Sequence, residues 1–156
     1  MHPRFSAVVQ ELHPTFLRLM EASPMPSGHR WASEAIRGVY LFSEGEKHLY
    51  VGRTNHVRRR HGLHCRASAQ HNQAVFAFKL ARHATGNLKA SYSTGAGSRK
   101  ALAADPDFKR AFDEAKIRVK AMDFRWVEEA DPLRQCLLEV YAAVALETPY
   151  NDFDNH

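Results

Sequence analysis

A chain of 156 residues, 44% of them hydrophobic, can bury one sizeable core and suits one domain better than two. The net charge of +5 is modest, and the two cysteines, Cys65 and Cys136, are too few for a disulfide scaffold and fit packed thiols in a reducing compartment. No apolar leader opens the chain and no stretch nears the roughly 18 uninterrupted apolar residues of a membrane span, so a soluble, cytoplasmic protein with no membrane partner is expected.

The first 34 residues read as a helical arm and linker. Phe5, Val8, Val9, Leu12, Phe16, Leu17, Leu19 and Met20 recur at helical spacing and Pro14 interrupts them, which predicts a short helix, a break and a second helix starting near Pro14. Ser23–Gly28, with its two prolines, reads as a turn.

Ile36–Phe42 and His48–Gly52 read as two strands joined through Ser43–Lys47, where Gly45 can take the positive φ of a tight turn. Thr54 or Asn55 can cap a helix running from Val57 to about Arg66, and Ala74–His83 reads as another. Thr85–Lys100 is rich in Gly and Ser and reads as a mobile basic loop. Its Gly95–Lys100 segment lacks the spacing of a triphosphate-binding loop.

Asp105-Pro106-Asp107 is a helix start, with a helix expected through about Ala115. Ile117, Val119 and Ala121 alternate with polar residues, and Met122, Phe124 and Trp126 continue one residue out of phase, which predicts a third strand with a bulge. Asp131-Pro132 starts the last helix, whose apolar residues run from Leu133 to Ala145, before Pro149 and the exit segment Tyr150–Phe153.

Charge is distributed unevenly along the chain. Residues 47–104 hold eleven Lys or Arg and six His but no carboxylate, whereas residues 105–156 hold seven bases and twelve acids. A carboxylate-free stretch of this length suits a face that binds a polyanion, because each neutralised phosphate releases counterions. A solvated basic surface is the rival reading.

Chemistry concentrates at a few positions. Arg60 and His64 are four apart, so both project from one face of the first core helix. Glu139 interrupts the apolar succession Leu137, Leu138, Val140, Tyr141, where a carboxylate is costly unless paired or metal-bound. It is the best candidate metal ligand, since Glu147 and Glu128 are more simply solvated. His61, His64, Cys65 and His71 lack the second half of a zinc site.

Gly38-Val39-Tyr40, Tyr50-Val51-Gly52, Arg60 eight residues on, Glu139 on the last helix and Asn151 occur in an order that resembles the GIY-YIG nuclease superfamily. The resemblance spans roughly residues 36–64 and 117–153, about 66 of the 156 residues. It implies an α+β fold, a small three-stranded antiparallel sheet flanked by helices, with residues 35–156 forming one domain and a basic insertion around 66–116. It also implies a divalent-metal-dependent endonuclease acting on DNA, with one Mg2+ or Mn2+ held by Glu139. Tyr40 would assist the attacking water, Arg60 would stabilise charge on the phosphate, and Tyr50 and Asn151 would order the site. His64 resembles a histidine of the family's restriction-enzyme branch and would act near the nucleophile. Arg53, Arg58, Arg59, Arg66, Lys89, Arg99 and Lys100 are candidate nucleic-acid contacts.

Two further readings stay open: a nucleic-acid-binding module without catalysis, and a nuclease for single-stranded DNA or RNA. Symmetric double-strand cutting would require two sites and hence a homodimer. The nine residues between Tyr40 and Tyr50 matter for either reading, because a one-residue slip in register turns one tyrosine to the opposite face.

Overall fold

A computed structural model describes residues 1–33, 35–88, 95 and 97–153. The fold is α+β, with a three-stranded antiparallel sheet flanked by helices. The chain divides into two compact units, one made of Met1–Arg60 with Met122–Asn151 and the other built on His61–Ala121. Among the described residues no helix is long and apolar enough to cross a membrane.

The first unit begins with α1 (Pro3–Gln10) and α2 (Leu12–Glu21). Pro14 falls within the first turn of α2, where its missing N–H costs no intrahelical bond. The sheet follows as β1 (Gly38–Glu44), β2 (Lys47–Thr54) and, much later, β3 (Asp123–Glu128), in the order β2-β1-β3. Glu44 pairs with Lys47, so the hairpin loop is only Gly45-Glu46, and Gly45 has φ +58°.

One face of the sheet carries Val39, Leu41, Val51 and Val127, which bury against Leu138, Ala142 and Ala143 of α7 (Pro132–Ala145) and Leu12 and Leu19 of α2. Burying such side chains stabilises the fold by about 1.5–3 kcal/mol each. The Asp131 carboxylate caps α7 by accepting from the Arg134 N–H at 2.8 Å. The edge of β3 is covered by the segment after α2: Met25 N–H donates to the Phe124 carbonyl (2.8 Å) and Arg125 Nε to the Ala22 carbonyl (3.0 Å).

The second unit holds α4 (Val75–Ala84), α5 (Arg99–Ala104) and α6 (Pro106–Ala121), with most of α3 (Val57–Cys65). Its core includes Phe78, which packs on Phe108 and Phe112 with ring centroids 5.0 and 6.0 Å apart. Lys116 is buried and donates to the carbonyls of Ala67 (2.5 Å) and Ala69 (3.3 Å), holding the loop after α3.

Two sequence expectations are corrected. Residues 117–121 belong to α6, not to a bulged strand, and β3 starts only at Asp123. Phe108, Phe112, Ala115 and Val119 bury at helical spacing, while Ile117, which suggested the alternation, is exposed. Arg99 and Lys100 begin α5, where the Ser98 hydroxyl accepts from the Ala101 N–H at 3.1 Å, rather than ending a loop. Residues 89–94 and 96 of that expected loop, among them Lys89, lie outside the described residues.

Candidate active site

Tyr40 lies in the central strand, yet its ring ends against Gly52 of β2, at a cavity that both residues line. Gly52 is the residue opposite it, and a Cβ there would lie 2.3 Å from both Cζ and the hydroxyl oxygen of Tyr40. The tyrosine ring therefore crosses β2 through the space that the glycine leaves. Phe124 stacks on the ring at 5.6 Å and Phe42 meets it edge-on at 5.9 Å, so the ring is packed on the sheet.

Register brings Tyr50 to the same face. The Glu44–Lys47 and Ser43–His48 pairs, continued regularly, would place Tyr50 opposite Leu41 and turn it away from Tyr40. A bulge between Phe42 and Ser43 shifts the pairing so that Phe42 faces Tyr50 and Tyr40 faces Gly52. The two phenol rings lie 6.4 Å apart.

The cavity measures about 430 Å³ and is lined by Tyr40, Tyr50, Gly52, Arg53, Thr54, Asn55, Arg60, Gln135 and Glu139. All of these belong to the first unit. Arg60, in the first turn of α3, donates from Nε to the Tyr40 hydroxyl at 3.2 Å. Glu139 comes from α7 and pairs through Oε2 with Arg53 Nε at 3.0 Å, their side chains 23% and 46% exposed. The carboxylate is thus paired, as its apolar sequence neighbours require.

Burial pushes the Tyr40 phenol above the ordinary tyrosine value, partly opposed by the charge and hydrogen bond of Arg60 and reinforced by Glu139. Burial likewise raises Tyr50, with Tyr40 adding to the rise. Both hydroxyls are neutral near pH 7, so Tyr40 accepts from Arg60 while keeping a proton of its own.

Asn151 works from behind the strand. Its side chain accepts from the Val51 N–H and donates to the Val51 carbonyl, both at 2.9 Å, and accepts from the Thr148 hydroxyl at 2.9 Å. Val51 stands between Tyr50 and Gly52 on the edge strand, so this amide replaces the missing neighbouring strand where the tyrosines are held.

The other expected residues are placed differently. His64 belongs to the second unit, where it is fully buried, and is not among the residues lining the cavity. Arg58 and Arg59 are exposed on the first turn of α3. Arg66 and Lys100 are exposed in the second unit, where Arg99 is occupied by the His71 carbonyl (2.6 Å) and the Phe78 ring (4.4 Å). Gln135 escaped the sequence reading, and Thr54 and Asn55 entered it only as helix caps. Gln135 was findable, because it precedes Glu139 by four residues on one helix face; it is buried and donates to the Glu129 carbonyl at 2.6 Å.

Among the described residues no cluster of three or more His, Cys, Asp or Glu side chains could hold a metal. The donor set fits a cation that keeps most of its water: one carboxylate residue, Glu139, in a cavity otherwise lined by uncharged Thr54, Asn55 and Gln135 beside the tyrosines, Gly52 and two arginines. Mg2+ is characteristically bound through one or two carboxylates plus waters and substrate phosphates. No family model, curated protein or solved structure matches the chain.

Proposed function

We propose that this protein is a divalent-metal-dependent endonuclease that hydrolyses DNA phosphodiester bonds, in line with the resemblance of its motifs to the GIY-YIG superfamily. The observation that carries this reading is the convergence of Tyr40, Tyr50, Arg53, Arg60 and Glu139, from two strands and two helices, on one cavity. Arg60 presents a guanidinium fork suited to two phosphate oxygens and is already aligned by the Tyr40 hydroxyl at 3.2 Å. Tyr40 holds the attacking water by its hydroxyl, and Tyr50 packs beside it. Water adds across the P–O bond, leaving a phosphate monoester on one fragment and a hydroxyl on the other. A Mg2+ or Mn2+ ion held by Glu139 would supply Lewis acidity at the leaving oxygen.

The raised pKa of both tyrosines and the Arg53–Glu139 pair also favour a second reading, a nucleic-acid-binding module that does not cleave. One experiment separates the two. Glu139→Ala is compared with wild type for cleavage of plasmid, linear duplex, single-stranded DNA and RNA with Mg2+ or Mn2+, and for binding with Ca2+. The nuclease reading expects wild-type cleavage, a loss of at least about a hundredfold in the variant, and retained binding. Equal cleavage by both proteins overturns Glu139 as the metal ligand, and salt-sensitive binding without product in any arm supports the silent module.

A further inference from the structure

We infer that Arg53 couples metal binding to substrate binding by exchanging Glu139 for a phosphate of the nucleic acid. The inference rests on the nuclease reading and adds to it a thermodynamic link between two ligands. Its starting point is that the carboxylate proposed to bind the metal already has a cationic partner, with Arg53 Nε 3.0 Å from Glu139 Oε2.

A guanidinium and a divalent cation on the same carboxylate repel each other, so each weakens the other's hold on Glu139. The second oxygen of Glu139 is only a carboxylate's width away, so an ion bound there would be repelled by Arg53 at short range, less the screening that a 46% exposed side chain receives. Arg53 and the metal therefore compete for Glu139 in the free protein. The competition is set to be relieved: Arg53 sits on the edge strand, its side chain is 46% exposed, and it lines the same cavity as Arg60. A phosphodiester entering that cavity offers Arg53 an alternative anion with matching fork geometry.

Once Arg53 turns to the phosphate, its guanidinium no longer competes for Glu139 Oε2, and the carboxylate becomes a stronger site for a divalent ion. Linkage makes the effect mutual, so the ion must tighten nucleic-acid binding by the same factor. The free protein then holds metal weakly, and the complete site assembles only with substrate present. Arg53 is in this scheme a positioning residue for the metal as well as a phosphate contact.

The test measures Ca2+ affinity by calorimetry and affinity for a mixed-sequence 20-base-pair duplex by fluorescence anisotropy, each with and without the other ligand. Wild type, Arg53→Met, Arg53→Lys and Glu139→Gln are compared after circular dichroism shows each to be folded. Wild type should bind Ca2+ weakly alone and about tenfold more tightly with duplex, within the usual range of coupling between sites. Arg53→Met should bind Ca2+ more tightly than wild type when alone and gain less from duplex than wild type does, keeping only the coupling that a direct ion–phosphate contact supplies, and Arg53→Lys should restore part of the difference. Unchanged Ca2+ affinity in Arg53→Met, or coupling as large as in wild type, overturns the inference while leaving the nuclease reading intact. Wild-type Ca2+ binding by Glu139→Gln overturns the metal site itself and both conclusions with it.

Discussion

A methyl group added at Gly52 tests the geometry of the site without presupposing its chemistry. The Cβ of Gly52→Ala would lie 2.3 Å from Cζ and the hydroxyl oxygen of Tyr40 and 2.9 Å from Cε2, whereas ordinary contact begins at 3.4 Å. The ring must withdraw by about 1 Å, against Phe124 on one side and Phe42 on the other. Overpacking of this kind costs about 1–3 kcal/mol. A chain of 156 residues should lose about 2–4 °C of melting temperature per kcal/mol. The same displacement breaks the Arg60–Tyr40 hydrogen bond, which at 3.2 Å already lies at the long end of the range. Cleavage should therefore fall more than thermal stability alone explains. In a Tyr40→Ala background the added methyl meets the space vacated by the ring, so its cost should nearly vanish, and the double-mutant cycle should show coupling about equal to the single-variant penalty. Wild-type melting and wild-type cleavage by Gly52→Ala would refute the crossing of the ring over β2.

Asn151→Ala strands the Val51 N–H and C=O on the edge of β2 and should cost about 1–3 kcal/mol, read as a lower melting temperature; Asn151→Asp, which keeps the acceptor and loses the donor, should also destabilise. If both variants melt like wild type, the strand does not need the amide. Stability should also depend on pH at both ends. Burial lowers the pKa of His61, and of His48 and His71 with help from Arg125 and Arg99, so the stability tied to their neutral forms is complete above about 6.5 and is lost as pH falls below it. Burial pushes Cys65 up to about 11 from 9.0, so its contribution is complete below 9.0 and disappears as pH rises through about 11. A melting-temperature profile should therefore plateau between these limits, and His61→Gln should flatten the acid side. A profile level from pH 7 to 5 would contradict the histidine assignment.

The hairpin was legible because Gly45 marks a tight turn between two strand-like segments, although the bulge that sets the facing of Tyr50 was not, and the last helix was legible because Asp131-Pro132 is both cap and first turn. The end of α6 was misread for a physical reason: Ile117, Val119 and Ala121 fit a period of two, but Phe108, Phe112, Ala115 and Val119 fit the helical period over a longer span, and the longer pattern governs burial. The six-residue α5 is too short for any periodicity to announce, and only its Ser98 cap distinguishes it from a loop. Of the candidate site, Tyr40, Tyr50, Arg60 and Glu139 meet at the cavity, while His64 lies buried in the other unit. The contact between Arg53 and Glu139 was not legible at all, because it joins residues 86 apart through tertiary packing alone.

Tyr40 must do two things that conflict: sit in the central strand, where packing fixes its ring, and deliver a hydroxyl to a cavity lined by the neighbouring strand. Three local features reconcile them. Gly52 gives up its side chain so that the ring can cross, and the bulge between Phe42 and Ser43 makes Gly52 rather than Val51 the residue beneath it. Asn151 then holds Val51, so the edge strand cannot shift its register away from that arrangement. Remove the bulge and Val51 would meet the ring while Tyr50 faced the opposite core; remove the glycine and the hydroxyl would leave Arg60. The two tripeptides are therefore one structural device in which the glycine of the second exists to let the tyrosine of the first reach through.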